Sequence, residues 1–352
     1  MAKLDTLFRL VKNRNGSDLH ISVGEVPRVR VYGSLVTVDG VEPLSARSVE
    51  ELLRELVTPK QWETFLDTNE LDFGYTAPGA ARFRGNYFCD HKGAAAVFRI
   101  IPSEVATVDE LDLPPAVGTF AHLSEGLLLV TGPTGSGKST TLAAILHEIN
   151  RAYAKHIITI EDPIEFIHSS QKSIFTQREI GTHADSFSDA LRIAMRQDPD
   201  VILVGEMRDR ETIGLALTAA EMGIFVLGTV HTNNVVKTID RIMDAFDAEE
   251  QKHTRSMLAQ SLAGIVSQFL VARVDKPGRI PVTEVLVRTS AVPNVIREGN
   301  TSLLVSIIQG GKKQGMSSMD DRLMSLLEKG VIAAEEAYIR AYDKTQFEHF
   351  LD

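Results

Sequence analysis

The run Gly132-Pro133-Thr134-Gly135-Ser136-Gly137-Lys138-Ser139-Thr140 restricts what this chain can fold into more than any other stretch. It follows the apolar segment Leu127-Leu128-Leu129-Val130-Thr131 and precedes Leu142, Ile145, Leu146 and Ile149, which recur at the spacing of one helical face. The reading is strand, glycine loop, helix. Glycines let successive backbone N–H groups turn inward around phosphate oxygens, Lys138 adds a mobile positive charge, and Ser139 offers a hydroxyl to Mg²⁺. A glycine-rich turn alone is weak, but the full spacing in a strand-to-helix setting specifies a nucleoside triphosphate site.

With 352 residues, the chain has room for two domains that each bury a core. The excess of 47 acidic over 37 basic residues, a net charge of −10, argues against a surface devoted to nucleic acid. Cys89 is the only cysteine, so an internal disulfide and a cysteine-ligated zinc cluster are both excluded. It reads as a small, half-buried strand residue in a protein of a reducing compartment. At the N-terminus Leu4, Leu7, Phe8 and Val11 share a helical face, but Asp5 and Arg9 interrupt any signal-like apolar core. No apolar run reaches the roughly 18 residues that suggest a transmembrane helix, so membrane contact is expected only through a partner.

Along the first hundred residues the opening helix gives way to strands around a turn at Gly33-Ser34. Residues 49–57 and 61–65 read as helices separated by Pro59, and 71–76, 81–89 and 95–101 as strands, a small α+β domain. Arg82 and Arg84 stand two apart, so a strand directs both to one face. Arg82, Arg84 and the nearby Arg99 fit either a solvated face or contact with a triphosphate held by a neighbouring subunit. The expected division is a domain over 1–102, a proline-containing linker over 103–118, and a nucleotide domain over 119–352.

In that second part strands and helices alternate, the pattern of a largely parallel sheet covered by helices. Ligands of such sheets gather at the carboxyl ends of strands. The run His156-Ile157-Ile158-Thr159-Ile160 ends in Glu161-Asp162-Pro163, and Val201-Ile202-Leu203-Val204 runs through Gly205 into Glu206. Glu206 is read as the base that polarises the attacking water; Ser139, Glu161 and Asp162 are candidates to support Mg²⁺. A helix over 209–221 leads to the strand at 225–230, which delivers His231 as a phosphate sensor. Beyond it the chain reads as mostly helical, with a hairpin over 268–287 turning near Lys276-Pro277-Gly278.

These residues together resemble the hexameric secretion ATPases that power type II secretion and type IV pili. Residues 132–140 look like that family's Walker A loop, 157–165 like its aspartate box, 200–209 like its Walker B region and 228–233 like its histidine box. The run Gly205-Glu206-Met207-Arg208-Asp209-Arg210-Glu211-Thr212 and the N-terminal Ser17-Asp18-Leu19-His20 are most similar to the pilus retraction branch. The assembly branch usually carries a tetracysteine zinc site that one cysteine cannot supply. Residues 291–298 look like the retraction motif, with Pro293 where a basic residue is usual.

The resemblance implies a small PAS-like α+β domain followed by a RecA-like P-loop NTPase domain with a helical C-terminal region. It implies ATP and Mg²⁺ as ligands, with Glu206, Glu161, His231, Arg82, Arg84 and Arg99 as catalytic groups. A homohexamer at the cytoplasmic face of the inner membrane is expected to act on pilin through a membrane platform protein, with a paralogous retraction ATPase as a further partner. The competing readings are an assembly or secretion motor, a RecA-like nucleic-acid motor, and a nucleotide-dependent binding module that never hydrolyses.

Overall fold

The computed structural model describes residues 2–101 and 105–351 and separates into two compact bodies. Residues up to 101, together with 162–167 and 179–183, form the first; the remainder forms the second.

The first body has helix α1 (Asp5–Asn13), then strands β1 (Gly16–Ser22), β2 (Arg28–Val31) and β3 (Ser34–Thr37), helices α2 (Ala46–Arg54) and α3 (Pro59–Thr68), and strands β4 (Glu70–Thr76), β5 (Arg82–Asp90) and β6 (Gly93–Ile101). The strands pair antiparallel in the order β3-β2-β1-β6-β5-β4. Alternation along β5 decides the two faces: Phe83, Gly85 and Tyr87 are buried while Arg82 and Arg84 point the other way. Phe73 stacks edge-on against Tyr87 at 4.8 Å, and Phe8, Phe65, Leu53 and Phe98 complete the core. A Cβ on Gly85 would stand 2.8 Å from the Phe73 ring, which is why the strand carries a glycine there.

Pro59 does not separate two helices but begins the second. Thr58 caps α3 in a capping box with Gln61, and proline's fixed φ suits the first helical position. Cys89 is exposed rather than half-buried, because it stands one residue from the β5–β6 turn, at the end of the core face.

The second body contains α4 (Pro115–Thr119), β7 (Gly126–Thr131), α5 (Lys138–Ala152), β8 (His156–Glu161), β9 (Ile174–Glu179), α6 (Phe187–Ala194), β10 (Val201–Val204), α7 (Arg210–Glu221) and β11 (Phe225–Val230). Helices α8 (Val235–Asp244) and α9 (Ala248–Ser261), the hairpin β12 (Leu262–Ala272) and β13 (Arg279–Val287), and helices α10 (Val292–Glu298), α11 (Leu303–Gly310), α12 (Met319–Glu328) and α13 (Ala334–Arg340) follow. The sheet order is β13-β12-β7-β11-β10-β8-β9. Strands β7, β10 and β11 are buried at every position, as central strands covered on both faces must be.

The stretch expected to be a linker is built into this body. Residues 102–104 lie outside the described residues, but Val108, Leu113, Ala116 and Val117 are buried in one cluster with Phe120, Leu128 and Ile145. Its prolines and acids punctuate a packed segment instead of a solvated one. Pro293 occupies the first turn of α10, buried, where no intrahelical N–H is lost.

Candidate nucleotide site

The glycine loop leaves β7 and enters α5. Gly132, Gly135 and Gly137 have φ of +147°, +78° and +88°, a region that side-chain-bearing residues rarely adopt. At Gly132 a Cβ would also come within 2.1 Å of the Gln268 carbonyl. Because α5 begins at Lys138 and its cap, Gly137, offers no side chain, the first-turn amides have no intrahelical acceptor and point toward the loop, where an anion would meet them. Lys138 is buried, with its ammonium donating to the carbonyls of Gly132 at 2.9 Å and Pro133 at 3.1 Å. Ser136 Oγ is buried without a hydrogen-bond partner among the described residues. The lysine ammonium, the first-turn amides and an unpaired hydroxyl suit the phosphates of a nucleotide.

Three neighbouring strands bring the remaining groups. β11 pairs with β7, β10 with β11 and β8 with β10, all parallel, so their carboxyl ends share one edge. Val230 is opposite Thr131, and the next residues along are His231 and Gly132. Val204 is opposite Ile160, which sets Gly205 beside Glu161. At a strand spacing of about 4.8 Å, the strand leading to Glu206 lies about 10 Å from β7 and that ending in Glu161 about 14 Å. His231 is therefore one strand from the loop, Glu206 two and Glu161 three.

His231 Nε2 lies 3.0 Å from Glu206 Oε1, and the Arg208 guanidinium also pairs with Glu206. Burial and then the positive charge of Lys138 hold the His231 pKa below the ordinary histidine value, although Glu206 pulls it upward. Neutral imidazole is favoured, so Nε2–H donates to the carboxylate when it carries the ring proton. Glu161 is buried at the end of β8. Asp162 begins the segment 162–167 that folds with the first body, so of the residues expected at a metal only Ser139 and Glu161 lie in the body carrying the loop. Among the described residues no group of three or more His, Cys, Asp or Glu surrounds a metal position.

The three arginines belong to the first body. Arg82 donates to Glu179 at 3.0 Å, to the Ile164 carbonyl at 3.0 Å and to Thr76 at 3.2 Å. Arg84 pairs loosely with Asp72 at 3.7 Å and Glu165 at 3.6 Å. Arg99 Nε lies 2.8 Å from Asp18 while its side chain stays 73% exposed. Registers place Arg30, Asp18, Arg99 and Arg84 in one row across the sheet, side by side on its polar face.

Sequence reading missed Gln268. This buried side chain donates to the Ser136 carbonyl at 2.8 Å and accepts from Thr141 at 2.9 Å, tying β12 to both the loop and the first turns of α5. The available signal was an amide side chain inside a largely apolar strand, a position that burial penalises unless both amide groups are paired.

The Type II/IV secretion system protein family model matches residues 76–338. The chain is 47% identical to the type IV pilus retraction ATPase PilT of Pseudomonas aeruginosa over 335 residues, covering 95% of this chain and 97% of that one. It is 48% identical to a twitching motility protein of Neisseria gonorrhoeae over 315 residues, covering 90% of this chain and 84% of the relative. Among solved structures, the pilus retraction motor PilT with bound ADP superposes with a TM-score of 0.90 at 38% identity, covering 99% of each chain.

Proposed function

The chain belongs to the family of Type II/IV secretion system proteins, and we propose that within it this protein is the ATPase that drives type IV pilus retraction and twitching motility. Similarity to a retraction ATPase along 97% of that protein's length supports the retraction reading, and the Glu206–His231 pair beside a glycine loop supports hydrolysis.

The residues divide the work of phosphoryl transfer. Loop amides from Gly135 to Thr140 and the Lys138 ammonium hold the phosphates, which displace the carbonyls that Lys138 now contacts. Ser139, with Glu161 in support, would hold Mg²⁺, which would neutralise charge on the phosphate oxygens. One or two protein ligands would suffice, since Mg²⁺ in nucleotide sites is held mainly through substrate phosphates and water. Glu206 accepts the proton of the attacking water; His231, hydrogen-bonded to it, orients the carboxylate and faces the phosphate. Arg84 and Arg99, the more exposed of the three arginines, supply positive charge to a triphosphate on a neighbouring subunit, while Arg82 is committed to Glu179.

The assembly is a homohexamer at the cytoplasmic face of the inner membrane, acting on pilin through a platform protein and alongside a paralogous retraction ATPase. No described helix is long and apolar enough to cross a membrane. Deleting the gene tests the direction of work. Excess, non-retracting surface pili and lost twitching, restored by the intact gene, are expected; bald cells would instead make this an assembly motor.

A further inference from the structure

Helix α8 begins directly after the loop that carries His231. Its cap, Asn234, satisfies the amide of Lys237 through its own side chain at 2.8 Å. That leaves the amide of Val235, the first helical residue, with no intrahelical acceptor and no exposure to water. Glu284 of β13 fills the gap: its Oε1 accepts from the Val235 N–H at 2.7 Å. Glu284 is only 8% exposed, and burial raises its pKa, so the contact comes at a cost of desolvation.

The position of Glu284 in the sheet gives this contact its meaning. Registers run from Glu284 to Ser267, then to Thr131 and to Val230. Thr131 is the last residue before the glycine loop, and Val230 the last before His231. One strand-crossing row thus joins Glu284 to the roots of both catalytic segments. Tyr342, which lines the same cavity as Glu284 and Asn234, donates its hydroxyl to the Asn233 carbonyl at 2.9 Å.

We infer that Glu284 is a positioning residue for hydrolysis: by holding the Val235 amide it fixes the 231–234 loop and so keeps His231 Nε2 on Glu206. The inference rests on the assignment of His231 and Glu206 given above. It concerns the acceptor oxygen, not the charge, so Glu284→Gln retains the function whereas the similarly sized Glu284→Leu loses it.

Phosphate release by the assembled full-length protein, measured over a range of ATP concentrations, tests this. Glu284→Leu is expected to lower kcat by about tenfold with KM within about twofold of the parent, since the group lost acts on the chemical step and not on the glycine loop. Glu284→Gln should restore kcat. Added to His231→Ala, Glu284→Leu should change kcat by less than about twofold, because the group being positioned is gone. A merely structural residue would lower activity equally in both backgrounds, and that result overturns the inference. A parent-like Glu284→Leu beside an impaired His231→Ala overturns it alone, whereas a parent-like His231→Ala overturns the histidine assignment beneath it. If Glu284→Leu does not fold, Tyr342→Phe removes only the hydroxyl on Asn233; kcat should then fall about threefold, and an unchanged kcat counts against the loop clamp.

Discussion

Replacing Gly205 by alanine tests the close contact between the exits of β8 and β10. Gly205 donates to the Ile160 carbonyl at 2.8 Å, and a Cβ there would stand 3.1 Å from that oxygen, 3.3 Å from Glu161 Cα and 3.6 Å from Glu161 Cγ. The first two neighbours are backbone, so they cannot rotate away. Restoring ordinary contact requires β8 and β10 to part by about 0.4 Å, at an overpacking cost of roughly 1–3 kcal/mol. In a body of this size that lowers the melting temperature by a few degrees, about 2–4 °C per kcal/mol. The catalytic effect is larger than the stability effect suggests. If 1 Å of misplacement costs about 10²-fold, 0.4 Å between Glu161 and Glu206 costs roughly five- to tenfold in kcat. The nearest atoms a Cβ at 205 would meet belong to Ile160 and Glu161, and β11 stands between β10 and β7, so ADP affinity should stay within about twofold of the parent. Phosphate release, an ADP titration and a thermal melt on the same preparation separate these effects. Parent-like kcat, or a fall in kcat matched by an equal loss of ADP affinity, would show that the spacing of Glu161 and Glu206 does not limit turnover.

Glu206→Gln should bind ATP as the parent does while turnover falls by about 10²- to 10⁴-fold, the span of general-base catalysis; nucleotide titration with single-turnover phosphate release reads both. His168 stacks on Phe175 at 4.6 Å and its pKa is pushed down to about 4, mainly by burial. The folded state therefore prefers neutral imidazole. Its contribution, about 3 kcal/mol, is present above the ordinary histidine pKa and is lost as pH falls from about 6.5 toward 4. Urea midpoints of the parent should fall more steeply across that window than those of His168→Gln; parallel slopes would remove the assignment.

The residues legible in the sequence are those whose local chemistry is sufficient. Positive φ at three glycines, an unpaired helix start and a lysine six residues after Gly132 define a phosphate cradle without reference to any distant residue. Apolar runs ending in acids marked β8 and β10 as central strands, because a strand covered on both faces has no polar positions to alternate. Strand β1 escaped notice as an element, although Ser17-Asp18-Leu19-His20 within it was recognisable, because its polar and apolar residues mix over a short span.

Tertiary structure alone decided how near each group stands to the phosphates. Along the chain the loop is followed by Glu161, then Glu206, then His231; across the sheet the order is reversed, with His231 nearest and Glu161 farthest. Crossover connections fix which strands become neighbours, and strand pairing is blind to sequence separation. The same holds for Arg82, whose partner Glu179 lies 97 residues away, and for Gln268, which reaches the loop across 132 residues. A local pattern can state that a polar side chain exists in an apolar strand, but only the packed sheet supplies the partner that makes its burial tolerable.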